Sequence, residues 1–267
     1  KIGSDDKLGD LQTAAKNAVD MLLSGQNQAK PRVRVALIPY ANSVNVGKSI
    51  AEKAVYVERN ATERVAAPAN TDPKAVSGVT RPDYCATERK GTSHAFTDVG
   101  PEVAMVNRDF LLTSFAGGFN TYVPSRTCPK ASVVPLTANV QTLNDMIDAF
   151  EADGGTGGHI GVQWTWYMLS EHWASVVGSS AAPAKRDPKK VGKYAILMTD
   201  GEFNLSYFDV TKAADAYNDK GKKETRESAK KLCEEMRKAG IEIFTIGFKL
   251  TDEKARETMR SCASPDT

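Results

Sequence analysis

No stretch of this sequence stays apolar over the about 20 consecutive residues that a bilayer-spanning helix requires. Nothing at its beginning resembles a signal peptide. A strong charge of one sign is missing too: 35 Lys and Arg against 33 Asp and Glu leave a formal +2, which gives no reason to expect a nucleic-acid partner. Histidine is scarce, with only His94, His159 and His172, and neither a G-x-S-x-G elbow nor a P-loop occurs. These absences remove the common serine hydrolases and the phosphate-cradling enzymes. Ser93 and His94 are chain neighbours, whose side chains seldom face one another productively, and His159 reads as a water-exposed residue in the first turn of a helix. The four cysteines, Cys85, Cys128, Cys233 and Cys262, lack the C-x-x-C spacing of a zinc site.

What is present is an alternation of helical and strand patterns. Leu8, Leu11, Ala15, Ala18 and Leu22 form one apolar stripe of a helix near 7–24, which Gly25 ends. Asp5 and Asp6 stand just ahead of it, as an N-cap and its dipole partner. A strand is expected over 32–39, then helices near 139–152, 160–169 and 222–239, the last stopped by Gly240. The tryptophans near 164–173 read as packing residues. Two apolar runs, Tyr194–Met198 and Ile241–Phe248, read as parallel-type strands buried on both faces. Helices alternating with such strands imply an α/β fold: a doubly wound, mostly parallel sheet with helices on both faces.

Two segments carry candidate chemistry. The run Tyr194-Ala-Ile-Leu-Met-Thr-Asp-Gly201 places Asp200 at the carboxyl end of a strand, where open α/β sheets bind ligands. A turn-starting aspartate is the plainer reading. Gly154-Gly155-Thr156-Gly157-Gly158 follows one expected helix and opens another, freeing the backbone to set the Thr156 hydroxyl at a fixed point. Read alone, it would be a flexible connector. A hydroxyl and a carboxylate together make an all-oxygen pair suited to a hard cation such as Mg²⁺.

The glycine loop and the Ile196–Gly201 strand end resemble two of the three metal segments of a von Willebrand factor type A domain. Further segments narrow the resemblance to tight-adherence pilus-assembly proteins of the TadG type. These are Val33–Tyr40 with Asn42–Gly47, Val134–Thr137, Trp164–Ser170 with Trp173, Gly240–Phe248 and Met259–Ser264. The resemblance covers most of the chain outside roughly 50–130. It implies that Thr156 and Asp200 belong to a metal-ion-dependent adhesion site, usually filled by Mg²⁺, at which an acidic side chain of a partner completes the coordination shell. The partner would be a pilus-assembly component, a pilin or a surface ligand. The protein would help assemble or anchor Flp pili and promote adhesion, tethered to a membrane by an upstream segment and working in the periplasm or at the cell surface.

The family's first metal segment, Asp-x-Ser-x-Ser at the end of the central strand, is absent, and Lys1–Lys7 resembles the loop that follows it. The resemblance therefore implies that upstream residues, or else another chain, supply that strand. A structural scaffold that kept the fold without the metal is the rival reading. A hydrolase in the same crevice would need several carboxylates around the ion and a base near its water. The sequence offers one such carboxylate, although Glu202, Tyr207 and Asp209 could line the crevice.

The expected organisation is 1–47 as the first part of the domain, 48–131 as an inserted subdomain rich in proline, and 132–267 as the remainder. Cys233 lies in a helix before the strand 241–248 and Cys262 in the helix after it. Right-handed crossovers put both helices on one face of the sheet, so these cysteines could pair. That leaves Cys85 with Cys128 to pin the insertion. Four free, partly buried thiols are the alternative, but paired cysteines imply an oxidising compartment.

Overall fold

The computed structural model describes residues 6–58, 64–66, 84–89, 93–103, 105–107, 128–152, 154–199, 202–208 and 216–265. In chain order the elements are α1 (Lys7–Leu23), β1 (Val35–Leu37), β2 (Val44–Asn45), α2 (Gly47–Ala54), β3 (Val55–Glu58), β4 (Arg64–Ala66), β5 (Cys85–Ala86), β6 (Met105–Asn107) and β7 (Val134–Thr137). Then follow α3 (Val140–Asp148), α4 (Gly158–Leu169), α5 (Ala174–Val177), β8 (Lys193–Thr199), α6 (Asp219–Lys238), β9 (Ile241–Gly247) and α7 (Glu253–Cys262). The architecture is mixed helix and strand with small sheets. Strand β1 pairs antiparallel with β7, and β8 pairs parallel with β9. Strand β2 pairs antiparallel with β5, while β3 holds β4 antiparallel and β6 parallel. Among the described residues these ladders do not join into one doubly wound sheet. Asn120–Pro124, a further strand-like piece of the sequence, lies outside the described residues.

Helix α1 starts where Asp6 caps it, its carboxylate accepting from the Gly9 N–H at 2.8 Å. Its buried stripe is Ala15, Val19 and Leu23, packed on Leu143 and Ile147 of α3 and on Val134 of β7. Leu22, expected in that stripe, is instead 44% exposed. The reason is geometric: residues four apart share a face, and once Ala15 and Val19 point inward, Leu23 follows them and Leu22 turns away.

The parallel pair β8–β9 departs from expectation in a more consequential way. Ala195, Leu197, Ile241 and Ile243 pack against Val162 and Trp166 of α4, Leu232 and Met236 of α6, and Ala255 and Met259 of α7. Side chains alternate across a strand, so the residues between them lie on the other face. There Tyr194 is 59%, Ile196 42%, Phe244 49% and Ile246 42% exposed. Among the described residues, the strands expected to be buried on both faces are covered on one.

Both cysteine pairs are bridged. Cys233 of α6 meets Cys262 of α7 with Cα atoms 5.0 Å apart, and Cys85 of β5 meets Cys128 at 5.9 Å. Two disulfides are consistent with an extracytoplasmic location. No helix among the described residues is long and apolar enough to cross a membrane. Ala54, Val55, Ala86 and Met105, from the proline-rich middle of the chain, share one core with Trp164, Tyr167 and Trp173.

The second bridge closes a loop across 29 positions of sequence. Its removal in Cys233→Ala/Cys262→Ala is expected to cost about 3–4 kcal/mol on the chain-entropy model. Urea unfolding of the oxidised protein and the double variant measures it, and equal midpoints would refute the expectation.

Candidate functional site

Three loops meet at the amino end of α4. One is the glycine loop 154–157, the second is Tyr40–Ser43 beyond β1, and the third is Glu202–Phe208 beyond β8. The glycines allow the approach: Gly154 adopts φ +76°, open to glycine at little cost, and a Cβ at Gly155 would lie 2.7 Å from the Tyr217 ring. At Gly158 a Cβ would overlap the ring of the fully buried Phe203.

Side-chain amides then stitch the loop in place. Asn42 Oδ1 accepts from the Gly155 N–H, while its Nδ2 donates to Tyr217 Oη at 2.6 Å. Asn204 grips Thr156 from both sides, its Oδ1 accepting the Thr156 N–H at 2.7 Å and its N–H donating to the Thr156 carbonyl at 3.1 Å. The Gly157 N–H donates to the Ala41 carbonyl at 2.8 Å. A loop bound at three successive N–H groups is a positioned element, not a flexible connector. The Thr156 side chain is half-buried, and its hydroxyl makes no hydrogen bond among the described residues, which leaves its oxygen available to a ligand.

Asp200, the other expected ligand, lies outside the described residues, as do Asp5 and Asp209. Its flanks are placed: Thr199 ends β8, where its carbonyl accepts from the Phe248 N–H at 2.9 Å, and Phe203 packs under α4. Glu202 is exposed, whereas Tyr207 is fully buried in the core and turned away from the crevice. Among the described residues no group of three or more His, Cys, Asp or Glu could hold a metal ion. Thr156 suits a hard cation in kind, but the Asn42 and Asn204 oxygens already accept loop N–H groups.

A second polar cluster lies behind the first. His159, expected to face water, is 1% exposed. Its Nδ1 is 2.8 Å from Thr225 Oγ1 of α6, and its Nε2 is 3.6 Å from Glu88 Oε2. Glu88 Oε1 accepts the Tyr207 N–H at 2.6 Å and the Ser206 hydroxyl at 3.4 Å. Beside it, Arg89 is fully buried, stacked 4.9 Å over the Tyr167 ring and 5.3 Å over Trp173, with Nη2 donating to the Gly100 carbonyl at 3.0 Å. Burial pulls the Arg89 pKa down from its ordinary value, opposed by Tyr167, Glu102 and Asp98 nearby. Burial pushes the Tyr167 hydroxyl up.

Thr156 stands out in the sequence as a candidate, but the residues that hold its loop do not. Asn42 lies within the segment Asn42–Gly47 of the resemblance, yet nothing marks its side chain, and Asn204 carries only the weak Asn204-Leu-Ser206 sequon pattern, which points to no loop contact. Glu88 has no such pattern. No family model matches the chain, and no curated protein or solved structure shows significant similarity to it.

The close packing of Gly158 on Phe203 yields a prediction. Gly158→Ala is expected to destabilise the protein by about 1–3 kcal/mol, the usual cost of overpacking. Phe203→Leu in the same chain should recover part of it, because the smaller side chain vacates the contested space. A double-mutant cycle in thermal or urea unfolding reads this directly, and strict additivity would disprove the contact.

Proposed function

We propose that this chain is a von Willebrand factor type A-like protein-binding domain of a TadG-type pilus-assembly protein, acting in the periplasm or at the cell surface. Its role is binding, not catalysis: it aids the assembly or anchoring of Flp pili and surface adhesion. The observation that carries the reading is the convergence of the Thr156 loop with the loops beyond β1 and β8 at the amino end of a buried helix, where the Thr156 hydroxyl makes no hydrogen bond among the described residues. Thr156 and Asp200 would hold Mg²⁺ or another divalent cation. When bound, the ion would offer an open coordination position to a partner's carboxylate.

The reading treats β1–β7 and β8–β9 as parts of one doubly wound sheet, with a strand outside the described residues between β1 and β8. Backbone geometry supports this. Ile243 turns its N–H and its carbonyl toward Ser264, with bonds of 2.9 and 2.8 Å, so its neighbours in β9 face β8. By the alternation of a parallel ladder, Tyr194, Ile196 and Met198 then direct their backbone groups away from β9. Tyr40 Oη reaches the Met198 carbonyl at 2.9 Å, so a whole side chain spans a space where paired strands would lie about 4.8 Å apart. Helix α4 packs against β1, β7 and β8 together and floors that space.

A second reading is a metal-free scaffold in a secretion or envelope complex, which would keep the fold without the ion. Calorimetric titration with Mg²⁺ separates the two. Saturable binding is expected, abolished in Asp200→Ala and weakened at least about tenfold in Thr156→Ala, with both variants keeping the parent's unfolding midpoint. Absence of saturable binding in the parent protein would overturn the adhesion-site reading in favour of the scaffold.

A further inference from the structure

We propose that the Cys85–Cys128 disulfide is a redox-sensitive lock on the Thr156 loop, acting through Glu88 as a positioning residue. The proposal rests on the Thr156 loop being the functional site. Both anchors of that loop lead back to the segment 84–89. The first route runs through β2: Val44 pairs with Ala86 and Asn45 with Cys85, and the Val46 N–H donates to the Tyr84 carbonyl at 3.0 Å. Strand β2 follows directly on Asn42, whose side chain holds Gly155. The second route runs through the Glu88 carboxylate, which fixes Ser206 and Tyr207 and with them the loop whose Asn204 holds Thr156.

The far side of the bridge is tied to the same strand. Asn45 Nδ2 donates to the Pro129 carbonyl at 2.9 Å, and the Asn45 carbonyl accepts from the Val133 N–H at 2.7 Å. The bridge therefore clamps 84–89 and 128–133 together on β2. Thr87, Glu88 and Arg89 penetrate the core at 0, 4 and 0% exposure, so their placement depends on the short β5 that Cys85 begins. Two residues of strand pairing give little holding power by themselves.

Accessibility separates the two disulfides. Cys233 and Cys262 are both fully buried, whereas in the other bridge only Cys85 is, and Cys128 is half-buried. Disulfide reduction begins with thiolate attack on an accessible sulfur. A dithiol attacks Cys128 Sγ and the S–S bond breaks, with Cys85 leaving as the thiolate and taking a proton. The reagent's second thiol then displaces Cys128 as a thiol. Two electrons pass to the protein, and the reagent ends as its own disulfide. Segment 84–89 then loses its clamp, Glu88 releases Tyr207, and the Thr156 loop loosens while the α6–α7 bridge stays closed.

Amide hydrogen exchange on the whole chain, without added metal, tests this with and without dithiothreitol, with mass spectrometry of the thiols to show which bridge opens. Reduction of Cys85–Cys128 alone is expected to speed exchange at Gly155, Thr156 and Tyr207 at least about tenfold, leaving Ala229–Met236 of α6 unchanged. In the oxidised protein Glu88→Ala should speed the same amides, and Glu88→Gln, which keeps an acceptor oxygen, should restore most of the protection. Unchanged exchange at Gly155 and Thr156 after full reduction of Cys85–Cys128 overturns the lock, and the oxidised and reduced parent protein decides this even if Glu88→Ala does not fold. A protein that binds no Mg²⁺ yet shows the exchange response keeps the lock and loses the adhesion site.

Discussion

Of the twelve residues in α4, only Thr165 and Leu169 escape full burial, and the rest of the molecule is arranged around that fact. A helix apolar on every side must be enclosed on every side. The enclosing elements are the segment after β1, the strand β8, the loop after it, and the long helix α6. Two glycines set how close they come: a Cβ at Gly158 would overlap the Phe203 ring, and one at Gly161 would lie 2.6 Å from Tyr40. The same enclosure brings the loops beyond β1 and β8 to the amino end of α4, where Thr156 sits. The convergence of these loops follows from the packing of a core helix.

Enclosing α4 also explains the buried polar residues. Its first turn is not at the surface, so His159, which sequence position alone would leave in water, must find partners inside. Thr225 supplies one at Nδ1, and the Glu88 carboxylate stands near Nε2. Glu88 in turn satisfies a backbone N–H and a hydroxyl of the loop beyond β8. Burying such groups is costly unless they find partners, so the hydrogen bonds that His159 makes to Thr225 and Glu88 to Ser206 and Tyr207 couple segments far apart in sequence. Arg89 meets the same demand with aromatic faces and a carbonyl.

The β8–β9 pair shows the opposite situation. One face carries the core of three helices, while the other leaves Tyr194, Ile196, Phe244 and Ile246 exposed among the described residues. Parallel strands are ordinarily covered on both faces.

Sequence by itself determined what depends on neighbours along the chain. The helices near 7–24, 139–152, 160–169 and 222–239, the caps at Asp6 and Gly240, the strands at 193–199 and 241–247 and the Cys233–Cys262 pairing are all readable from short-range period, turn chemistry and crossover handedness. Thr156 was legible for the same reason, since a threonine among four glycines is a local pattern. Tertiary structure decided the rest: the inward turn of Leu23 in place of Leu22, the burial of His159, the one-sided cover of β8, and the grip of Asn42, Asn204 and Glu88 on the loop. An asparagine or glutamate carries no periodic signal of its partner. Which backbone group it meets 48 or 119 positions away, as Asn204 meets Thr156 and Glu88 meets Tyr207, is set only when the core closes and every buried donor must find an acceptor.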